Sequence, residues 1–358
     1  MTALRTSGAD RTGLDPAMLD PIAVVRRARR RPRRRLVLVA GGLAVVLVAA
    51  FLLRVLGGDY IITFPDFWRI LGGKDIPGAT FILMESKLPR AVMGVLVGLA
   101  FGTAGATFQS TLRNPLASPD MVGVSMGASA AAVFGIVVLG LSGSALSVAA
   151  VAGAVVVAAG IRLVSGPDAG YRLVLVGVTA AAALMAVVEY LFTRADEYDA
   201  HAALRWLTGS LNAADWPTIR VLAVCLVVLL PLVAWAARSQ RVLELGPDVA
   251  AGLGVTRRYA DLLLLLAVLL TALGVAAAGP VAFVAFVSGP IARALNGGRT
   301  TLLGAALVGA VVMVGADHLA AYAIPDVNLP VGVVTGAFGA PFLLWLLASG
   351  RAAGRRSS

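Results

Sequence analysis

The side chains that could do chemistry in this chain are few, and most stand inside or beside long apolar runs. Glu189, the Asp317-His318 pair, Asp261 and Arg220 are the ionisable residues in or at the ends of such runs. An ionisable group within a membrane is costly and commonly serves a proton or ion path. Glu189 stands within a turn of the end of its run and close to Arg194, so it reads either as a cation site or as an interfacial residue. Asp317 and His318 end their run and read as a cap on the outer surface. A different polar group is Gln109, late in the run that opens with KLPR at 87–90 and leaves through RNPLASPD at 113–120. That run carries Gly98, Gly102 and Gly105, whose missing side chains let neighbouring helices approach closely. Its Asn-Pro exit predicts a non-helical turn, tolerated at membrane depth where protein or a water-filled cavity surrounds it. Such a pattern offers passage rather than bond making. No Gly-x-Ser-x-Gly elbow, His-Glu-x-x-His zinc motif or phosphate-cradling glycine loop is present. The lone Cys225 excludes an intrachain disulfide and a cysteine zinc cluster, and His201 and His318 are too few for a histidine-rich metal site.

The elements that must position these groups follow from composition. With 59% hydrophobic and 14% charged residues, the chain is not an ordinary soluble domain. At roughly twenty residues per span, 358 residues hold about ten spans with short connections. The predicted fold class is an all-α membrane protein of about ten transmembrane helices with both termini cytoplasmic. The spans are placed at 36–56, 90–111, 121–140, 145–164, 172–193, 218–237, 259–278, 281–295, 301–321 and 330–349. A basic tail, 1–35, precedes this ten-helix domain, 36–349, and a short cytoplasmic tail, 350–358, follows it. In this register 22 of the 30 lysines and arginines fall on the inner side, the retention that positive-inside topology requires. The net charge of +11 is therefore read topologically, as cations held at the cytoplasmic face, and not as a nucleic-acid footprint. The first apolar run is long enough to span and lacks a small-residue cleavage site.

Three connections exceed the short links of a compact bundle. The outer segment 57–89 contains Trp68, and the outer segment 194–217 holds an amphipathic stretch around Leu204 to Leu211. The inner segment 238–258 reads as two short helices broken at Gly246-Pro247, with Val242, Leu243, Leu245, Val249 and Leu253 on an apolar face. A structured inner loop without a spanning stretch is a docking surface for a soluble partner. No internal repeat is visible in the sequence.

These blocks, in order, resemble the permease subunits of ATP-driven importers for iron–siderophore complexes, haem and cobalamin, the FecCD-like (type II) ABC family. The resemblance covers about 36–349. It rests on KLPR at 87–90, Gly105 and Gln109 leading into RNPLASPDMVG at 113–123, WLTGSLN at 206–212 and LELGPDVAAGLGV at 243–255. GPVAFVAFVSGPIAR at 279–293, GADHLA at 315–320 and LPVGVVTGAFGAPFLLWLL at 329–347 complete it. The resemblance implies a ten-helix subunit paired with itself or a close relative around a central path, in the cytoplasmic (inner) membrane. A substrate-binding protein docks outside and two ATPase subunits dock inside. It implies that Asn114, Pro115, Leu116 and Ala117, with Gln109, stand at the path or its inner gate, although Asn-Pro alone would also make a structural turn. Lys87 and Arg90 become candidates for docking the binding protein, and Leu245, Gly246, Ala250 and Gly254 for coupling to the ATPase. No cofactor is expected on this chain: ATP and magnesium belong to the partner subunit, and the permease itself is not an enzyme. The implied cargo is a ferric siderophore, with cobalamin or haem as the alternative within the family. An ion-coupled secondary transporter is the alternative from another class. Two departures from the family pattern stand out. Where many relatives read Pro-His-Ile-Ala-Arg, this chain has Gly289-Pro290-Ile291-Ala292-Arg293, and Ala321 stands where an arginine is frequent.

Overall fold

The computed structural model describes residues 21–166, 169–239, 242, 249, 252–253, 257–325 and 327–354, and among them there is helix and connecting turn but no strand. In chain order the helices are α1 (Pro21–Leu56), α2 (Phe64–Leu71), α3 (Ala79–Thr111), α4 (Val124–Val137), α5 (Gly143–Ser165) and α6 (Ala169–Phe192). They continue with α7 (Glu197–Leu207), α8 (Trp216–Ala236), α9 (Arg257–Ala278), α10 (Val284–Leu295), α11 (Leu302–Tyr322) and α12 (Val331–Gly354). Every predicted span coincides with one of these. Among the described residues seven stretches are long and apolar enough to cross a membrane, and α4, α10 and part of α12 are shorter apolar helices. The two remaining helices, α2 and α7, lie in the predicted outer segments. Both open on a side-chain cap that satisfies a free helical N–H: Thr63 Oγ1 accepts from the Asp66 N–H, and the Asp196 carboxylate from the Asp199 N–H.

The centre of the bundle is α3, which packs against α1, α8, α9, α10 and α11. Its most apolar window is 78% buried, whereas in that of α1 no residue is buried, as expected for a peripheral helix against lipid. The glycines set this placement. A methyl group on Gly98 would meet the backbone of Gly309 and Ala310, one on Gly102 the carbonyl of Ala305, and one on Gly105 the carbonyl of Ala285. Gly309 returns the contact toward Gly98 and Gly102. Backbones thus touch directly along α3–α11 and at α3–α10, the packing that small residues permit where lipid supplies no hydrophobic drive.

Two helices begin well before their predicted spans, α1 at Pro21 inside the predicted basic tail and α3 at Ala79. The second span begins at Ala79 and not at 90, because the chain stays helical through Lys87-Leu88-Pro89. Pro89 has no N–H to give to the Glu85 carbonyl, and the turn over Ile82–Lys87 widens into a π-helix, in which the Leu88 N–H reaches Leu83 O. At the predicted inner end, Arg35 of α1 donates to the Leu295 carbonyl at the end of α10 at 3.0 and 3.2 Å. A cation on a helix C-terminus is favourable in itself, and here it also ties the first helix to the tenth.

Candidate functional site

The residues singled out by sequence fall at the two ends of α3. At the predicted inner end the helix stops at Asn114-Pro115, because a residue before proline is pushed out of helical backbone. Arg113 takes a left-handed conformation (φ 52°) to make the turn. The Asn114 N–H still reaches back to Gln109 O at 3.1 Å, while its side-chain oxygen accepts from the Leu116 N–H at 2.9 Å and its carbonyl from the Ala117 N–H at 3.1 Å. The four gate candidates therefore form one self-braced turn. Pro115 is exposed at its tip, Asn114 and Leu116 are half-buried, and Ala117 is buried at its base.

The same loop carries Asp120. Its Oδ1 accepts from the Ser125 hydroxyl at 2.5 Å, and its Oδ2 is buried with no hydrogen-bond partner. Burial pushes its pKa up from 3.8 to about 6, against the smaller opposing effect of the Ser125 hydroxyl. The folded protein holds this proton more tightly than the unfolded chain, so stability falls as pH rises from about 4 through 6. An Asp120→Asn variant should lose that slope, gaining roughly 2–3 kcal/mol relative to wild type at pH 7 and nothing at pH 4. Thermal unfolding midpoints of both proteins across this range are the check, and parallel curves would refute the assignment.

Gln109 is not on an open surface. It is 1% exposed, and its Nε2 donates to Phe286 O of α10 at 2.9 Å. The cause lies in sequence: Pro290 has no N–H, so the carbonyl four residues before it is left without its helical donor. The amide of Gln109 takes that donor's place. Gly289 makes room, because a methyl group there would overlap Gln109 Oε1. The Gly289-Pro290 pair and Gln109 are thus one packing device that clamps α3 to α10 inside the chain.

The predicted outer end holds a correction of larger consequence. Lys87 and Arg90, the candidates for docking the binding protein, are 5% and 8% exposed, with their heads turned inward. Lys87 Nζ donates to the carbonyls of Gly57 and Tyr60, each at 2.5 Å. Arg90 Nε donates to Asp317 Oδ1 at 2.7 Å, and its NH2 to the Asn328 side chain at 3.2 Å. Arg54, from the end of α1, donates to Asp317 Oδ2 at 2.6 Å and lies over the Tyr322 ring. Asp317 is 1% exposed, so it is no surface cap: it is the hub that ties α1, α3 and α11 together. Sequence reasoning missed this hub. Arg54, Arg90 and Asp317 do share the outer layer of the predicted topology, and that signal was available.

Glu189 is exposed, on the end of α6. The WLTGSLN block packs at the same predicted outer end: Ser210 N–H donates to Ala278 O at 2.8 Å, and Gly332 N–H to Gly209 O at 3.2 Å. Leu245, Gly246, Ala250 and Gly254, the coupling candidates, lie outside the described residues. Among the described residues no three of His, Cys, Asp and Glu come together as a metal site. What the geometry can do is join helices rigidly and present a firm turn at each end of the central one.

Comparison with known proteins places this architecture. A family model described as the FecCD transport family matches residues 46–349. The chain is 35% identical to the ferric enterobactin transport system permease protein FepG of Escherichia coli (strain K12) over 319 residues, 88% of this chain and 96% of that protein. It is 38% identical to the Fe(3+) dicitrate transport system permease protein FecD of the same organism, over 75% of this chain and 85% of that one. The vitamin B12 import system permease protein BtuC of Citrobacter koseri is 31% identical over 89% of this chain and 96% of its own length. Among solved structures, a metal-chelate type ABC transporter in an inward-facing conformation superposes with a TM-score of 0.75 at 24% identity, covering 87% of this chain and 98% of that one, a likeness of fold.

Proposed function

Because the chain belongs to the FecCD transport family, we propose that it is the membrane-spanning permease subunit of an ATP-driven importer that carries a ferric siderophore across the cytoplasmic membrane. The observation that carries this reading is the family match over 46–349 together with the ferric-chelate permeases at 35% and 38% identity. The vitamin B12 permease, at 31%, supports cobalamin as the second cargo. Ion coupling is disfavoured on physical grounds. A proton carrier needs a buried acid free to change its charge within a span; Asp317 has both oxygens taken by arginines, and Asp120, whose Oδ2 is buried, lies in the turn after α3 and not inside a helix.

In this reading the permease pairs with a second copy or a related subunit, and the path lies between them. Two ATPase subunits hold ATP and magnesium, and their closure moves the 238–258 loop. That loop turns the helices as rigid bodies and alternates access to the path. The close backbone contacts of α3 suit such transmission, since packed interfaces shift as blocks and do not stretch. An outer binding protein delivers the cargo. Lys87 contributes to its docking indirectly, by fixing the Gly57–Tyr60 turn through two carbonyls, and Arg90 by holding the outer ends of α3 and α11 together.

The coupling assignment is tested by Leu245→Glu combined with Ala250→Glu. The expected result is a folded, membrane-inserted permease that no longer retains the ATPase through purification and no longer imports. Unchanged ATPase recovery and uptake would remove the loop from the mechanism.

A further inference from the structure

At the predicted inner end a second feature is unexplained by transport. A cavity of about 660 Å³ opens between the ends of α3 and α5 and the starts of α6 and α9, walled by Phe108, Val122, Ile161, Leu173, Leu264 and Val268. Its rim includes Leu163 and Leu265, 81% and 48% exposed, so it opens sideways on the outer face of this chain and not into its centre. The walls are apolar, but one corner is charged. Arg162 lies there, bonded to Asp261 through Nε at 2.9 Å and NH2 at 3.1 Å, with its NH1 on the Gly166 carbonyl at 2.7 Å. That pair is neutral overall. Two further cations stand close by: Arg258 lies one turn before Asp261 on α9, Arg172 directly precedes the lining residue Leu173 on α6, and both are exposed. Tyr171, 81% exposed, lies beside them, an aromatic of the kind that marks the headgroup level of a bilayer.

From this juxtaposition we infer that the cavity is a binding site for one anionic phospholipid of the inner leaflet, with an acyl chain between α5 and α9 and its phosphate at Arg172 and Arg258. The volume falls in the range of sites that enclose a small ligand. An apolar slot open to the bilayer has an acyl chain as its ready occupant. The two exposed arginines next to its lining residues, with no acidic partner among the described residues, select a negative headgroup, since basic residues at this level attract anionic lipids. The Arg162–Asp261 pair serves as a fixed floor that orients α5 against α9 beneath the headgroup. The bound lipid would then brace the α5–α9 contact beside the RNPLASPD turn, whose Val122 is part of the wall.

The test uses the full-length chain with whatever subunits purify with it in mild detergent. Extracted phospholipid is quantified by mass spectrometry, and after delipidation the thermal midpoint is followed during titration with phosphatidylglycerol or phosphatidylcholine of matched chains. Wild type should retain about one anionic lipid per chain, and phosphatidylglycerol should stabilise it where phosphatidylcholine does not. Ala159→Trp, which fills the slot, should abolish retention. Arg172→Ala with Arg258→Ala, exposed positions that leave the packing intact, should weaken phosphatidylglycerol binding roughly tenfold or more. Equal lipid content in wild type and the double-arginine variant would overturn the inference, as would stabilisation indifferent to headgroup charge. Capture of a protein subunit, and not lipid, by a photo-crosslinker at position 163 would also overturn it. Should Ala159→Trp fail to fold, the arginine variant decides alone.

Discussion

Asp317→Ala should cost the folded chain about 3–5 kcal/mol, the price of stranding buried charge. Each oxygen of Asp317 serves a different arginine, at 2.6 Å from Arg54 and 2.7 Å from Arg90, and all three groups are more than nine-tenths buried. Removing the carboxylate leaves two guanidinium groups facing one another with Asn328 and Tyr322 as their remaining side-chain partners. Neither partner carries a negative charge, and the site is closed to water. Because the three residues come from α1, α3 and α11, the loss is felt as separation of helices and not as a local rearrangement. The thermal midpoint in detergent should drop steeply, with α1, the peripheral helix, released first to protease. A companion variant isolates the cause. Replacing all three residues by leucine removes the charges together, and a buried ionic cluster exchanged for apolar side chains is often close to neutral in stability. The triple variant should therefore be more stable than the single one. If Asp317→Ala is as stable as wild type, the hub is not what holds these helices.

Gly105→Val is the second large effect expected. The new Cβ would overlap the Ala285 carbonyl of α10, which is backbone and cannot turn aside, and the β-branch adds volume in the same direction. Overpacking a well-filled interior costs about 1–3 kcal/mol when side chains can give, and here only a whole-helix displacement relieves it. That displacement would also pull Phe286 away from Gln109 and break the hydrogen bond from its amide to the Phe286 carbonyl. The variant should fail to accumulate as a folded protein. Gly160→Ala is the control, since nothing lies within 4 Å of its added carbon on α5. Replacing glycine by alanine in an exposed helix interior should be neutral or stabilising by up to about 1 kcal/mol. Expression and monodispersity of the two variants side by side give the answer, and similar behaviour would mean that α3 is not packed backbone to backbone.

How much of this was legible beforehand differs by scale. The helices were, because an apolar run of bilayer length has few alternatives, and even the short α4 and α10 stood out between polar turns. The central position of α3 was legible from Gly98, Gly102 and Gly105. Its true start at Ala79 was not, since Lys87 and Pro89 look like a boundary and the π-helix that accommodates them leaves no periodic mark. The partners of Lys87, Arg90 and Asp317 were hidden for a related reason. A charge near a span end is ordinarily solvated, and only the assembled bundle shows that Arg54 and Arg90 meet an acid 263 and 227 residues away. The Gln109 clamp was half legible. Pro290 announces an unserved carbonyl at Phe286, but nothing in one sequence says which helix answers it.

The measurement that tests the central claim most directly is uptake of a radiolabelled ferric siderophore into proteoliposomes holding this permease with the subunits that purify with it, loaded with the binding protein outside. The account predicts uptake that requires ATP and magnesium on the ATPase side and continues when a protonophore and a sodium ionophore collapse the ion gradients. Uptake that ignores ATP and stops with the gradients would contradict it, and would return attention to Glu189 as an exposed carboxylate on α6.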